Sequence, residues 1–161
     1  MSNRNFNASY YPNVASVEVM RLNANAVIPT RAHGGDAGID IYASEDVFIR
    51  QGETVVVPTG IAMNIPNGFY GKIEDRSSLA SMGLRTGAGV VDAGYLGELG
   101  VVMHNLNNIS NSSYRGLGYQ VNKGQRIAQI VINPVVPAAL VEVEELNNTE
   151  RGSRGFGSSG R

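Results

Sequence analysis

Five short stretches of this 161-residue chain carry residue types that can do chemistry. Asp92 stands in residues 89–105, GVVDAGYLGELGVVMHN, where two apolar runs flank a glycine-rich turn. That pattern predicts a β-hairpin with Asp92 at its mouth and Tyr95 at its tip. A carboxylate there can cap the turn or take a proton from water, and the residue alone does not choose between them. In residues 71–84, GKIEDRSSLASMGL, a strand leads through Arg76, Ser77 and Ser78 into a short helix. The first N–H groups of a helix point outward unpaired, so an Arg and two hydroxyls beside them suit an anion, or simply cap the helix. In residues 36–43, DAGIDIYA, alternation puts Ile39 and Ile41 on one strand face, with Asp40 and Tyr42 on the other. Residues 123–131, KGQRIAQIV, open a strand at Gly124 that carries Arg126 and Gln129. The tail, RGSRGFGSSG, could wrap a phosphate through successive backbone N–H groups, with Arg151 adding charge and Phe156 free to stack on a flat ring. Its composition equally suits plain disorder.

The elements that must position these residues are short strands. Residues 1–15 are rich in Asn, Ser and Tyr and read as a loose arm. Strands are predicted at 16–22, 39–43, 47–50, 54–57, 69–73, 90–92, 99–104, 125–132 and 140–145, with prolines and many glycines between them. Short strands at regular spacing argue for an all-β sandwich or barrel. The one helical candidate, 77–82, runs from Ser77 to a stop at Gly83. Residues 105–122, rich in Asn with Ser and Gly, read as a long polar hairpin excursion. A single domain over 16–149 is expected, followed by a tail over 150–161.

Composition excludes several classes. Formal net charge is −1, from 13 Lys+Arg and 14 Asp+Glu, so nothing pulls the chain toward nucleic acid or an anionic membrane. No cysteine is present, which removes disulfides and thiolate metal sites, and two histidines are too few for a histidine-built zinc site. Any metal would be a hard cation such as Mg²⁺, held by oxygen. Neither a signal peptide nor an apolar run of spanning length is evident, so a cytoplasmic protein is expected.

Taken together, in this order and spacing, the five stretches closely resemble the five motifs of the trimeric dUTP pyrophosphatase (dUTPase) family, from about Val17 to Gly160. The resemblance implies a jelly-roll-like β-barrel, a homotrimer whose active sites draw motifs from more than one subunit, and a flexible glycine-rich tail that closes over the substrate. It implies hydrolysis of dUTP to dUMP and pyrophosphate, which keeps uracil out of DNA and supplies dUMP for thymidylate synthesis. Asp92 is then the general base for water attacking the α-phosphorus. Asp40 anchors the hydrated Mg²⁺ on the triphosphate. Arg76, Ser77 and Ser78 grip the phosphates, Gln129 touches them, and Arg126 orients nearby carboxylates. Tyr95 packs under the deoxyribose and leaves no room for a 2′-hydroxyl. Backbone around Gly89, Val91, Gly100 and Val101 reads uracil. Phe156 stacks on the base, while Arg151, Gly157, Ser158 and Ser159 serve the phosphates.

This chain also departs from the family pattern. Asp75 stands where Pro is usual, Leu96 where Arg is usual, Arg154 where Gly is usual, and Thr86 where some members place Asn. Asp75 brings an extra negative charge near the site, and Leu96 removes a supporting ion pair. The 105–122 excursion is longer than usual and offers a surface for trimer contacts or a protein partner. Two other readings share the fold: a dCTP deaminase, and a dUTPase-derived regulatory protein that acts through a partner.

Overall fold

The computed structural model describes residues 15–107, 118–150 and 152–153. Among them are eleven strands and one helix: β1 (Glu18–Arg21), β2 (Ile39–Tyr42), β3 (Val47–Arg50), β4 (Thr54–Val57), β5 (Ile61–Asn64), β6 (Phe69–Glu74), α1 (Ser77–Ala80), β7 (Leu84–Thr86), β8 (Val90–Val91), β9 (Val101–Asn105), β10 (Gly118–Val121) and β11 (Arg126–Pro134). All strand pairs are antiparallel, in sheets ordered β2-β11-β6-β8, β4-β9-β7, β1-β5 and β3-β10. The all-β class and the single short helix are as expected.

Apolar residues at alternate strand positions build one core. Ile41, Ile49, Val57, Val101, Val121 and Ile130 are fully enclosed, each on a different strand. The central strand β11 is buried between β2 and β6, so its run Ile127-Ala128-Gln129-Ile130 is more apolar than a half-exposed strand would be. Gly71, midway along β6, lets β6 lie close to its neighbours: a Cβ there would come 2.6 Å from Cδ1 of Ile130 and 2.9 Å from Cδ1 of Ile65.

Four expectations need correction. Residues 140–145 form no strand; the chain beyond β11 runs exposed and without a partner strand of its own, with Leu140 97% accessible. Alternating Val and Glu are suited to a strand, but a strand needs an edge to pair with. Residues 89–105 are not a paired hairpin, because β8 joins β6 in one sheet while β9 joins β4 and β7 in another. Third, β5, β7 and β10 were not foreseen. The first two lie in stretches interrupted by Gly and Pro, which reads locally as turn. Fourth, the polar excursion is shorter than 105–122 at both ends. Asn105 closes β9 and is buried, donating from Nδ2 to the Ile49 carbonyl at 3.1 Å, and residues 118–121 pair with β3. Residues 1–14 of the 1–15 arm, most of the excursion, and Arg151, Arg154, Phe156, Gly157, Ser158 and Ser159 lie outside the described residues.

Candidate active site

Two clefts gather the candidate residues. The first, of about 240 Å³, opens between β8 and β9 and is lined by residues 87–92, Tyr95 and residues 98–102, over a floor of Ile73. Gly89, Val91, Asp92, Tyr95, Gly100 and Val101 therefore stand together. Its two walls belong to different sheets, so the gap is a feature of the barrel and not of a loose loop. The wall at 87–89 is pinned on both sides, by Gly87 N–H donating to the Val102 carbonyl at 3.0 Å and Ile73 N–H donating to the Gly89 carbonyl at 2.7 Å. Between them Ala88 adopts φ 59°, a left-handed conformation that costs a residue with a Cβ about 1–2 kcal/mol. Asp92 directly follows β8 with its side chain exposed at the rim, and its carbonyl accepts from the Tyr95 N–H at 3.3 Å. The Tyr95 ring lies across Gly97, where a Cβ would come 2.7 Å from the phenol oxygen. Its hydroxyl donates to the Glu98 carbonyl at 2.9 Å.

The second cleft, of about 420 Å³, is lined by Ala32, residues 36–38, Asp40, Arg76, Ser77, Arg126 and Gln129. Asp40 is its hub. One carboxylate oxygen accepts from Arg76 Nε at 3.1 Å, the other from Arg126 Nη1 at 3.1 Å, and the side chain is 15% exposed. The carboxylate pairs with two guanidiniums, both of which line the cleft. Arg76 also donates from Nη1 to the Arg126 carbonyl at 3.3 Å. Ser77 lines this cleft, whereas Ser78 does not; its carbonyl accepts from the Ser81 hydroxyl at 3.0 Å. The helix is one turn, begun by Arg76 in extended conformation with no side-chain cap.

Arg126 and Gln129 are three residues apart, and strict alternation would put them on opposite faces. A bulge restores them to one face: Arg126 pairs with Tyr42 and Ala128 with Ile41, so β11 carries one extra residue there. Gln129 then lies opposite Asp40 and donates from Nε2 to the Asp75 carbonyl at 2.8 Å.

The extra charge of Asp75 is directed at β7. Its carboxylate accepts from the Thr86 N–H at 2.6 Å and the Thr86 hydroxyl at 2.9 Å, and pairs with Arg85 Nε at 2.5 Å. Burial alone would push its pKa up, but the Thr86 donors and the Arg85 charge outweigh that and hold it below the usual carboxylate value. Asp75 and Thr86, both departures from the family pattern, thus answer one another. Among the described residues no group of three or more His, Cys, Asp or Glu is placed to hold a metal ion. A hard cation would find two carboxylates in the second cleft, Asp40 held by Arg76 and Arg126 and Asp36 held by His33, and no cage.

The dUTPase family model matches residues 24–160. The chain belongs to the dUTPase family. A deoxyuridine 5′-triphosphate nucleotidohydrolase of Clostridium kluyveri is 40% identical over 145 residues, which is 88% of this chain and 96% of that protein. The dUTPase of Staphylococcus bacteriophage 80alpha, solved with dUPNHPP, superposes at a TM-score of 0.82 with 36% identity, covering 91% of this chain and 99% of that one. A dUTPase variant from phage phi11 of S. aureus, described for its coordination of a structural Mg(II) ion, superposes at 0.75 with 34% identity, covering 83% and 99%. This dUTPase hydrolyses dUTP to dUMP and pyrophosphate on a jelly-roll-like barrel. The deaminase and purely regulatory alternatives are not favoured, since its relatives are nucleotidohydrolases. No helix among the described residues is long and apolar enough to cross a membrane.

Proposed function

We propose that the first cleft binds the deoxyuridine and the second the phosphates, with Asp92 as general base. The observation that carries this is the exposed Asp92 carboxylate at the rim of a cleft whose other wall is backbone and whose end is a fixed Tyr95. Asp92 takes a proton as a water oxygen bonds to the α-phosphorus. The bond from that phosphorus to the bridging oxygen breaks, and pyrophosphate leaves. Backbone at 89–91 and 100–101 reads the uracil edge; cytosine would leave a buried donor and acceptor mismatched. Tyr95 meets the sugar and excludes a 2′-hydroxyl. Arg76, Ser77 and Gln129 hold phosphate oxygens, with Arg126 and Asp40 fixing the Arg76 guanidinium.

Mg²⁺ enters this reading on the triphosphate, whose charge it offsets. A carboxylate can accept about four hydrogen bonds, so Asp40 can still take one from a metal-bound water. That outer contact fits the absence of a protein cage among the described residues. Assembly as a homotrimer is proposed with it. The exposed apolar run Val135, Val136, Leu140, Val141, Val143 and Leu146 is suited to lie against another protomer. Closure of the tail from Arg151, with Phe156 on the base, belongs to the same reading and rests on the resemblance.

The decisive experiment is a substrate panel of dUTP, UTP, dCTP and dTTP with and without Mg²⁺, run on the natural chain and on Asp92→Asn. dUTP should be strongly preferred. Asp92→Asn should keep dUTP binding while turnover falls at least about 10²-fold, the lower range for losing a general base. Near-natural turnover in that variant would remove Asp92 from the chemistry. A further protein-binding role at 105–122 is proposed because the phage 80alpha relative is described as controlling transfer of virulence genes by a G protein-like mechanism. Replacing residues 108–117 with a short Gly-Ser turn should then leave dUTP turnover intact and abolish capture of the partner.

A further inference from the structure

The wall between Asp92 and Gly100 ought to be loose. It contains Gly94, Gly97 and Gly100, and its tip residue Leu96 is 63% exposed. Yet Tyr95 must be held still if it is to tell two sugars apart. What holds the wall is a corner of the barrel distant in sequence, between β4 and β5. Gly60 donates its N–H to Glu98 Oε1 at 2.8 Å. The Thr59 hydroxyl, 1% exposed, donates to the Leu99 carbonyl, and Leu99 N–H donates to the Ile61 carbonyl at 2.8 Å. The corner is itself wedged. Gly60 has φ 67°, and a Cβ there would come 2.6 Å from Nδ2 of Asn23 and 3.0 Å from Cβ of Ala26. Its carbonyl accepts from the Leu22 N–H at 2.7 Å.

We infer that Glu98, seconded by Thr59, is the positioning residue that sets sugar and base discrimination in this enzyme. Its side chain grips the Gly60 amide while its carbonyl accepts the Tyr95 hydroxyl at 2.9 Å, so one residue links the sugar-facing ring to the rigid corner. A charged acceptor on a backbone N–H is among the stronger hydrogen bonds, which suits it to fix a turn full of glycine. Glu98 makes no bond to Asp92, so its loss should loosen fit while the general base stays in place. The inference rests on the assignment of the first cleft to deoxyuridine.

The test is kcat and KM for dUTP, UTP and dCTP in Glu98→Ala, Glu98→Gln, Thr59→Val and Tyr95→Ala, with thermal unfolding as the folding control. Glu98→Ala should raise KM for dUTP about tenfold, change kcat less than about threefold, and reduce discrimination against UTP about tenfold, as expected when a contact is misplaced without loss of the reacting group. Glu98→Gln, whose carboxamide oxygen still accepts the Gly60 N–H, should restore most of both. Natural KM and discrimination in Glu98→Ala would overturn the inference, as would a fall in kcat shared equally by all substrates. Should Glu98→Ala not fold, Thr59→Val decides: it removes the hydroxyl at near-constant volume, and unchanged discrimination there overturns the inference too. Tyr95→Ala separates the two levels. If it leaves discrimination against UTP unchanged, the cleft assignment fails; if it abolishes discrimination while Glu98→Ala does not, only the role of Glu98 fails.

Discussion

Asp75 shows how a charge that looks misplaced in a sequence can be at home in a structure. Its carboxylate joins the strand before Arg76 to Thr86 and Arg85 on β7, and its carbonyl receives Gln129. Because its pKa is lowered on folding, its contribution to stability is fully present above the ordinary carboxylate value of about 4. That contribution disappears as pH falls through the folded value. Denaturant midpoints of the natural chain and Asp75→Asn should therefore differ at pH 7 and converge as pH falls through the lowered folded value. A gap that stays constant with pH would mean the carboxylate charge is not what matters. Asp92 tells the opposite story. Its neighbourhood alone was compatible with a turn cap, and it became interpretable only beside Tyr95 and the two backbone walls.

At the scale of elements, β6 and β11 do most of the positioning. Gly71 is where β6 admits Ile130 and Ile65, so Gly71→Ala should overpack the core and reduce unfolding free energy by about 1–3 kcal/mol, measured by urea denaturation. An unchanged midpoint would show that the strands can part at no cost. Much of this layer was legible in the sequence. Strands β3 and β4 appear at their expected residues, and the short helix at Ser77 is where its start signal lies. What escaped detection depends on contacts far along the chain. The β11 bulge that brings Arg126 and Gln129 to one face is a register event between strands. The separation of β8 from β9 is a matter of sheet membership, and the grip of Gly60 on Glu98 joins residues 38 apart in sequence. Local periodicity carries none of these.

For the whole molecule, the two clefts on one chain need not serve one substrate. In the proposed trimer, with sites that mix motifs from different subunits, the deoxyuridine side would come from one protomer and the phosphate side from another. This predicts complementation. Asp92→Asn and Arg76→Ala, each with little turnover alone, should regain a measurable fraction of activity when unfolded and refolded together, because some sites then receive both intact halves. Mixtures no more active than their components would place each complete site within a single chain.

The stretch beyond β11 has a further consequence. With Leu140, Leu146 and their valine neighbours exposed, a chain outside the proposed trimer displays an irregular, apolar segment that a protease can enter. In the proposed trimer the same segment would be covered. On the proposed assembly, the lifetime of the protein would be tied to how quickly chains find one another, unassembled copies being the ones cleared.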